Sequence, residues 1–402
     1  MRLVVGHRFF PRPVCDEDGV WRPRHGVEVV FGPDSSDGYD PRTGTVAAAL
    51  AAAGWDTADA YVHCLPEYWA LPADAAGGDI PLILAVGDWN VAGRLLHVLR
   101  PLAAGAVVDH AGAPLLRRLG YRVRAILPWG WDAGAWPLVD PAAPRDIDVL
   151  FAGNRNAVIH ASRERWLARV AALAGVHRVV IADNVWGEEY RGLYARARLV
   201  FNHSVRGEAN IRAFEGAAAG ACVLNERGNP TLPHVFTPDV EYATYDDGDL
   251  EAVIARLLAD GPARLAIARA GHARVRDHTY EAHWAAAVDA LVSLAEDAPV
   301  PAVGRRERAR IMADGWRTGM QAQWLGVDAL RAAGEPDEAA ERHEELAHLG
   351  GLAGERVPTE QDVRVAIRMA ERASGRGDGP TLAATALALA ATGDEARAVA
   401  TA

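Results

Sequence analysis

The stretch RLVFNHSVRGEANIRAFEGAAAGACVLNE (198–226) has the pattern of a strand, a loop, a helix and a second strand in direct succession. The apolar run RLVFNHS (198–204) predicts a buried strand, and ACVLN (221–225) predicts the next one. The helix between them begins near Asn210, and Gly220 is expected to end it in the left-handed conformation of a C-terminal cap. This order predicts parallel strands with helices packed on both faces of a sheet.

The same alternation extends in both directions and predicts an α/β protein with more than one domain, because 402 residues exceed what one core usually supports. Strands are expected in two sets, at 1–5, 26–31, 60–65, 80–87, 104–110 and 123–128, and at 147–153, 178–182, 198–204 and 221–225. A linker at 131–146 contains three prolines and separates the sets. We therefore predict an N-terminal domain at 1–138 and a second α/β domain at 145–297.

The last hundred residues have a different pattern. Residues 300–402 contain helical patterns alone, and two weakly similar units at 329–349 and 386–400 resemble tetratricopeptide-type hairpins. The alternative is a helical cap on the second domain. In either case this all-α extension is a candidate for binding a protein partner or for self-association.

Composition limits the classes of partner. The net charge is −11, which argues against nucleic acid, and the sequence contains no lysine, so every fixed positive side chain is an arginine. Three cysteines without metal-ligand spacing indicate free thiols in a reducing compartment. The absence of a signal-peptide pattern or a long apolar segment predicts a cytoplasmic protein without an integral membrane segment.

Polar residues that follow the strands of the second domain form the candidate binding site. Ligands of open parallel sheets bind beyond the carboxyl ends of the strands, and helix N-termini there favour phosphate. The candidates are Gly153, Asn154, Arg155, Asn202, His203, Ser204, Arg206, Arg212 and Glu215. Glu215 could accept two hydrogen bonds from a ribose diol, with Arg212 on the same helix face. The alternatives are an ordinary turn at 153–156, a core histidine at His203 and an Arg–Glu pair that supports itself.

Several segments, in the same order, resemble GT-B glycosyltransferases of the CgeB-like "glycosyl transferases group 1" type. The resembling segments are RAFEGAAAGACVLNE (212–226), HAGAPLLRRLGYRVRAILPWGWDAGAWPL (110–138), RDIDVLFAGNRN (145–156), LYARARLVFNHS (193–204) and RVRDHTYEAHW (274–284). The resemblance covers about 110–290 and does not extend to 300–402. It implies two Rossmann-like domains that face an interdomain cleft.

The resemblance also implies a function: transfer of a sugar, of hexosyl type, from a nucleoside diphosphate sugar to an unidentified acceptor. Glu215 would bind the donor ribose, Arg212 would face the diphosphate, and the loop 153–156 would line the cleft. Better-known relatives carry two glutamates separated by seven residues, whereas Glu208 and Glu215 have six between them. Gly207 stands at the expected place, and Glu208, which could approach the sugar if the loop bulges, is carried over as a catalytic candidate.

The expected chemistry uses arginine and backbone amides in place of a metal, since no Asp-x-Asp pair falls on a suitable loop. If the reaction inverts the anomeric centre, a base must come from the first domain, and Asp88 and His110 are the candidates, with Asp109 and His7 beside them. Retention remains an alternative. Two other functions also remain open: a nucleotide-sugar epimerase of similar fold, and a non-catalytic GT-B module whose helical tail binds a partner.

Overall fold

The structure is a computed structural model that describes residues 1–6, 13–32, 43–75, 80–90, 92–153, 155, 161–296, 298 and 303–318. The predicted helical extension lies outside the described residues from 319 onward. His7 and Asn154 also lie outside them.

Seven strands form the first sheet, in the order β2-β3-β1-β4-β5-β6-β7. All neighbouring strands are parallel except β2, which pairs antiparallel with β3 at the edge. The strands are β1 (Arg2–Gly6), β2 (Trp21–Arg24), β3 (Val27–Phe31), β4 (Ala60–Cys64), β5 (Leu82–Ala85), β6 (Ala103–Val108) and β7 (Val123–Ala125). Strands β4, β5 and β6 are buried along their whole length, which explains why their sequences are continuous apolar runs.

Five parallel strands form the second sheet, in the order β12-β11-β10-β8-β9. They are β8 (Ile147–Ala152), β9 (Val179–Ala182), β10 (Ala197–Phe201), β11 (Cys222–Glu226) and β12 (Ala243–Tyr245). The predicted α/β class, with two largely parallel Rossmann-like sheets, is confirmed.

Helices cover both faces of each sheet. They are α1 (Val46–Ala52), α2 (Gly93–Leu99), α3 (Ala113–Arg118), α4 (Ala161–Ala172), α5 (Gly187–Arg196), α6 (Ile211–Ala218), α7 (Leu250–Ala259), α8 (Gly261–Arg274), α9 (Tyr280–Glu296) and α10 (Arg305–Thr318). Each sheet therefore has two apolar cores, one on either face.

Helix α6 explains the run of small residues in 216–220. Gly216 packs so closely that an added Cβ would lie 2.9 Å from Val223 and 3.3 Å from Val200. Gly220 has φ +69°, which confirms its predicted left-handed cap. Small residues therefore allow α6 to lie directly on β10 and β11, and this contact fixes the direction in which its first turn points.

Helix α9 returns the chain to the first sheet. Its sequence falls within the interval predicted for the second domain, yet Trp284, Val288 and Leu291 pack in the core of β1, β4 and β5. The crossing occurs where Trp131 forms a parallel bridge with Thr279. Helix α10 then packs against α2 through Ile311. Helices α9 and α10 thus tie the second half of the chain to the first sheet.

Candidate functional site

The strand order of the second sheet creates a crevice between β8 and β10. The chain runs from β8 to β9 on one side and then crosses to β10 on the other, so the connections leave these neighbours in opposite directions. The loop after β8 begins at Gly153, and the loop after β10 begins at Asn202. Such a switch point is where open α/β sheets bind ligands.

Arg212 lies at the base of this crevice and joins its two walls. Its Nε donates to the Ala152 carbonyl at 2.9 Å, and its Nη1 donates to Asn202 Oδ1 at 2.7 Å. Its guanidinium also lies over the Phe151 ring, 4.6 Å from the centroid. A Cβ at Gly153 would lie 2.3 Å from Arg212 Nη2, so this position requires glycine. Arg212 is therefore an anchored cation whose polar partners are neutral oxygens.

Glu215 lies one turn further along α6 and is buried. Its Oε2 accepts a hydrogen bond from the Tyr190 hydroxyl at 2.8 Å, and Tyr190 in turn lies 3.0 Å from the hydroxyl of Tyr194. Burial raises the pKa of Glu215 to about 7, against the lowering effects of Tyr190 and Arg212. A buried carboxylate with a neutral phenol partner retains capacity to accept further hydrogen bonds.

Arg206 reaches from the loop after β10 to the first sheet. Its side chain is 8% exposed, its Nη2 lies 2.5 Å from Asp88 Oδ1, and the same nitrogen donates to the Gly87 carbonyl at 3.3 Å. Burial alone would lower the pKa of Arg206, but the carboxylates of Glu208, Asp88 and Asp109 outweigh it and raise that pKa. The carboxyl edges of the two sheets therefore meet at an ion pair in which Arg206 is buried and Asp88 is partly exposed.

Both carboxylate oxygens of Asp88 have partners. Oδ1 pairs with Arg206, and Oδ2 accepts a hydrogen bond from the hydroxyl of Tyr68. Behind it, Glu67 Oε1 accepts hydrogen bonds from the amides of Gly87 and Asp88, at 2.8 and 2.5 Å. Burial raises the pKa of Glu67 to about 7, with the charge of Asp88 adding to the effect. Sequence reasoning missed Glu67; the signal was a carboxylate three residues after the buried strand AYVHC.

Glu208 binds its own loop. Its carboxylate oxygens accept hydrogen bonds from the backbone amides of Val205, at 3.2 Å, and Arg206, at 3.0 Å, and its side chain is buried. Glu208, the glutamate whose spacing differs from that of the better-known relatives, thus shapes the 204–208 loop and places a negative charge near Arg206.

Asp109 and His110, at the end of β6, contact different groups. Asp109 Oδ1 accepts hydrogen bonds from the Gly112 amide, at 2.6 Å, and from the Trp89 indole N–H, at 3.1 Å. Burial raises the pKa of Asp109 to about 6. His110 stacks on His234 of the second half, with ring centroids 3.6 Å apart, and burial lowers its pKa.

The remaining candidates after β10 are Asn202, His203 and Ser204, and each has partners within the second sheet. Asn202 is buried between Arg212 and Asn225. Ser204 donates to Glu226, and His203 Nδ1 lies 3.1 Å from the Tyr245 hydroxyl. Burial, followed by neighbouring arginines, lowers the pKa of His203 to about 3, so it is neutral. The side-chain partners of His203 and Ser204 thus lie on β12 and β11, and only Asn202 of these three contacts Arg212 through its side chain among the hydrogen bonds of the described residues.

Arg155 lies at the rim of the crevice. Its side chain pairs with Glu164 at 2.9 Å, while its backbone amide donates to Asp183 Oδ1 at 3.3 Å in the loop after β9. The structure thus brings Gly153 and Arg212 together at the crevice, with Glu215 one turn further along α6, whereas Arg206 pairs with Asp88. In the part of the chain that the structure describes, no group of three or more His, Cys, Asp or Glu could hold a metal ion. No helix there is long and apolar enough to cross a membrane.

Comparisons with solved structures give several similar chains. Sucrose-phosphate synthase from Thermosynechococcus elongatus is 16% identical, with a TM-score of 0.45 over 70% of this chain and 86% of that one. An α-glucosyltransferase in complex with UDP-glucose and DNA containing an abasic site is 10% identical, with a TM-score of 0.46 over 73% and 99%. Anabaena HepE in complex with UDP is 13% identical, with a TM-score of 0.43 over 66% and 86%. No curated protein matches the chain.

The sequence also matches the profile of a family described as glycosyl transferase-like, over residues 136–289. The matched segment contains the second sheet, the crevice between β8 and β10, and both Arg212 and Glu215. Residues 136–289 of this chain are therefore a glycosyl transferase-like domain.

Proposed function

We propose that this chain is a GT-B glycosyltransferase that takes a hexosyl group from a nucleoside diphosphate sugar, with the donor bound in the crevice between β8 and β10. The observation that carries the proposal is the pairing of buried Glu215 with the uncharged Tyr190 hydroxyl, one helical turn from the anchored cation Arg212. The two sheets, which meet at the Arg206–Asp88 ion pair, correspond to the facing domains of this class.

Glu215 is assigned to the ribose of the donor. A vicinal diol presents two hydroxyl donors, and an ionised carboxylate accepts both. The Tyr190 hydroxyl occupies one acceptor site on Oε2 and holds the carboxylate in place. Hydrogen bonds to a charged acceptor are stronger than neutral ones, so the diol stabilises the ionised form of Glu215 in the complex.

Arg206 and the first turn of α6 are assigned to the diphosphate. The first turn of α6 carries no acidic residue, and Asn210 at its N-cap makes no side-chain capping hydrogen bond. Backbone amides at such a helix start favour an anion, and Arg212 adds a positive charge beside them. The diphosphate would compete with Asp88 for Arg206, since both offer oxygens that a guanidinium fork can bind.

Sugar transfer breaks the bond between the anomeric carbon and the diphosphate oxygen and forms one to an acceptor oxygen. The departing diphosphate gains negative charge, which arginines and backbone amides in a water-poor crevice stabilise. If the reaction inverts the anomeric carbon, exchange of Arg206 from Asp88 to the diphosphate leaves a carboxylate oxygen of Asp88 free to take the acceptor proton. Charge stabilisation by arginine needs no metal in this scheme.

Isothermal titration of the full chain with nucleoside diphosphates tests the proposal. We expect one of them to bind wild-type protein, Glu215→Ala to abolish that binding, and the exposed Glu281→Ala to leave it unchanged. Slow hydrolysis of the matching nucleotide sugar would identify the transferred sugar. Absence of binding to every nucleoside diphosphate overturns the donor site, and binding without hydrolysis or transfer favours a non-catalytic module.

A further inference from the structure

Trp186 carries a ring that the fold leaves in solvent. It is 80% exposed, whereas other tryptophans of the described residues, such as Trp136 and Trp166, are buried. Trp186 is the N-cap residue of α5, and its side chain makes no capping contact. A single exposed apolar residue is ordinary, so exposure alone does not indicate a function for Trp186. Its position relative to the crevice does.

We propose that Trp186 stacks on the nucleobase of the donor nucleotide. The inference rests on the proposed function, because it assumes that a nucleotide occupies the crevice beside Glu215. It adds a residue that the strand–loop pattern did not predict, and it gives the bound nucleotide a direction along the edge of the sheet.

The loop that carries Trp186 lies at the same sheet edge as the crevice. It follows β9, which pairs with β8 from Val149↔Val179 to Ala152↔Ala182, so the two strands end together. The amide of Arg155, after β8, donates to Asp183 in this loop. Asn184 and Gly187 both have positive φ, 55° and 62°, and the resulting turn places Trp186 at the start of α5.

Tyr190 links Trp186 to the assigned ribose site. It lies one helical turn after Trp186, with its amide directed at the Trp186 carbonyl at 3.5 Å, and its hydroxyl binds Glu215. Residues four apart lie on the same side of a helix. A ribose held by Glu215 therefore has an exposed aromatic ring one turn away along α5.

The charges at the two helix starts fix the direction of the nucleotide. The first turn of α5 contains Glu188 and Glu189, which repel a diphosphate, whereas the region of α6 contains Arg206 and Arg212. The diphosphate end must then lie over β10 and the base end over β9. Two strand spacings, about 10 Å, separate β10 from β9, a span that accommodates one nucleotide.

Titration of full-length Trp186→Ala and Trp186→Phe with the nucleoside diphosphate that binds wild type tests the inference. Stacking of a base on an aromatic ring predicts about a 5- to 150-fold higher Kd for the alanine variant. The phenylalanine variant should recover most of the loss. Ribose 5-phosphate has no base, so its Kd in the same titration should be equal for wild type and Trp186→Ala.

Val176→Ala is the matched control, because Val176 is 83% exposed and precedes β9 at the opposite edge of the sheet. Hydroxyl-radical footprinting of wild type gives a second measurement that needs no variant: the bound nucleotide should protect Trp186. An unchanged Kd in Trp186→Ala, or unprotected Trp186, overturns the inference while the donor site stands. A shift in oligomeric state with unchanged Kd identifies a protein contact instead. Failure of every nucleotide to bind wild type refutes the proposed function.

Discussion

Replacing Glu215 by glutamine should stabilise the folded protein at alkaline pH even though it removes a group assigned to the donor. Burial raises the pKa of Glu215 from its ordinary 4.5 to about 7. A tenfold change in an ionisation constant corresponds to about 1.4 kcal/mol, so the ionised carboxylate costs the folded state about 3 kcal/mol. Glutamine has nearly the same shape, carries no charge and keeps an oxygen for the Tyr190 hydroxyl.

The direction of the pKa shift sets the pH at which this gain appears. The folded state holds the Glu215 proton more tightly than the unfolded chain does. The favourable contribution of the protonated carboxyl is therefore complete below pH 4.5 and is lost as the pH rises to about 7. We expect wild type and Glu215→Gln to differ little near pH 4.5 and to differ by about 3 kcal/mol in free energy of unfolding above pH 8.

Denaturant unfolding at the two pH values measures the stability difference, and isothermal titration measures nucleotide affinity in the same samples. Hydrogen bonds to a charged group contribute about 1.5–3 kcal/mol each, so Glu215→Gln should weaken nucleoside diphosphate binding about tenfold or more. Glu251→Gln is the control, because a hydrogen bond from Arg169 lowers the pKa of Glu251 and predicts no stabilisation at alkaline pH. Equal stabilities at alkaline pH would refute the burial argument, and unchanged affinity would refute the ribose assignment.

Three further outcomes follow from the geometry of the crevice. Gly153→Ala places a Cβ against Arg212, so it should cost about 1–3 kcal/mol of stability and weaken nucleotide binding, measured by unfolding and titration. Arg206→Ala should weaken nucleoside diphosphate binding about 10- to 100-fold, and adding Asp88→Asn should restore part of the lost stability in a double-mutant cycle, because the partly buried Asp88 no longer carries an uncompensated charge. Gly220→Ala should lower the free energy of unfolding by at least about 1–2 kcal/mol without changing nucleotide affinity, since it strains a left-handed residue remote from the crevice.

Local patterns predicted the helix that carries the site and ten of the twelve strands in the described residues, all but the edge strands β2 and β12. The continuous apolar runs predicted strands that the structure places within a few residues, for example 147–153 against Ile147–Ala152. Gly220 was predicted from its position after a helix and before a strand, and its positive φ confirms this. These features depend on residues close in sequence, where turn chemistry and hydrophobic period act directly.

Contacts between the two halves of the chain could not be predicted from such patterns. Asp88 and Arg206 pair across more than a hundred residues of sequence, so their loops gave no sign of each other. Asp88 remains a candidate base, but its oxygens are occupied by Arg206 and Tyr68. Helix α9 likewise reaches the first sheet because its apolar face fits there, although its sequence adjoins the second domain.

The two arginines of the opening stretch differ in what neutralises them, and this difference bears on how an acidic protein could hold a diphosphate. Arg206 is surrounded by the carboxylates of Glu208, Asp88 and Asp109, so an entering phosphate has to displace a partner before Arg206 can bind it. The hydrogen-bond partners of Arg212 are neutral oxygens, and the nearby carboxyl with a raised pKa does not fully compensate its charge. In the proposed complex, Arg212 would attract an anion to the switch point without moving, because its field would act across a low-dielectric crevice. Arg206 would respond only when the anion arrives, and its release from Asp88 would couple donor binding to the contact between the two sheets.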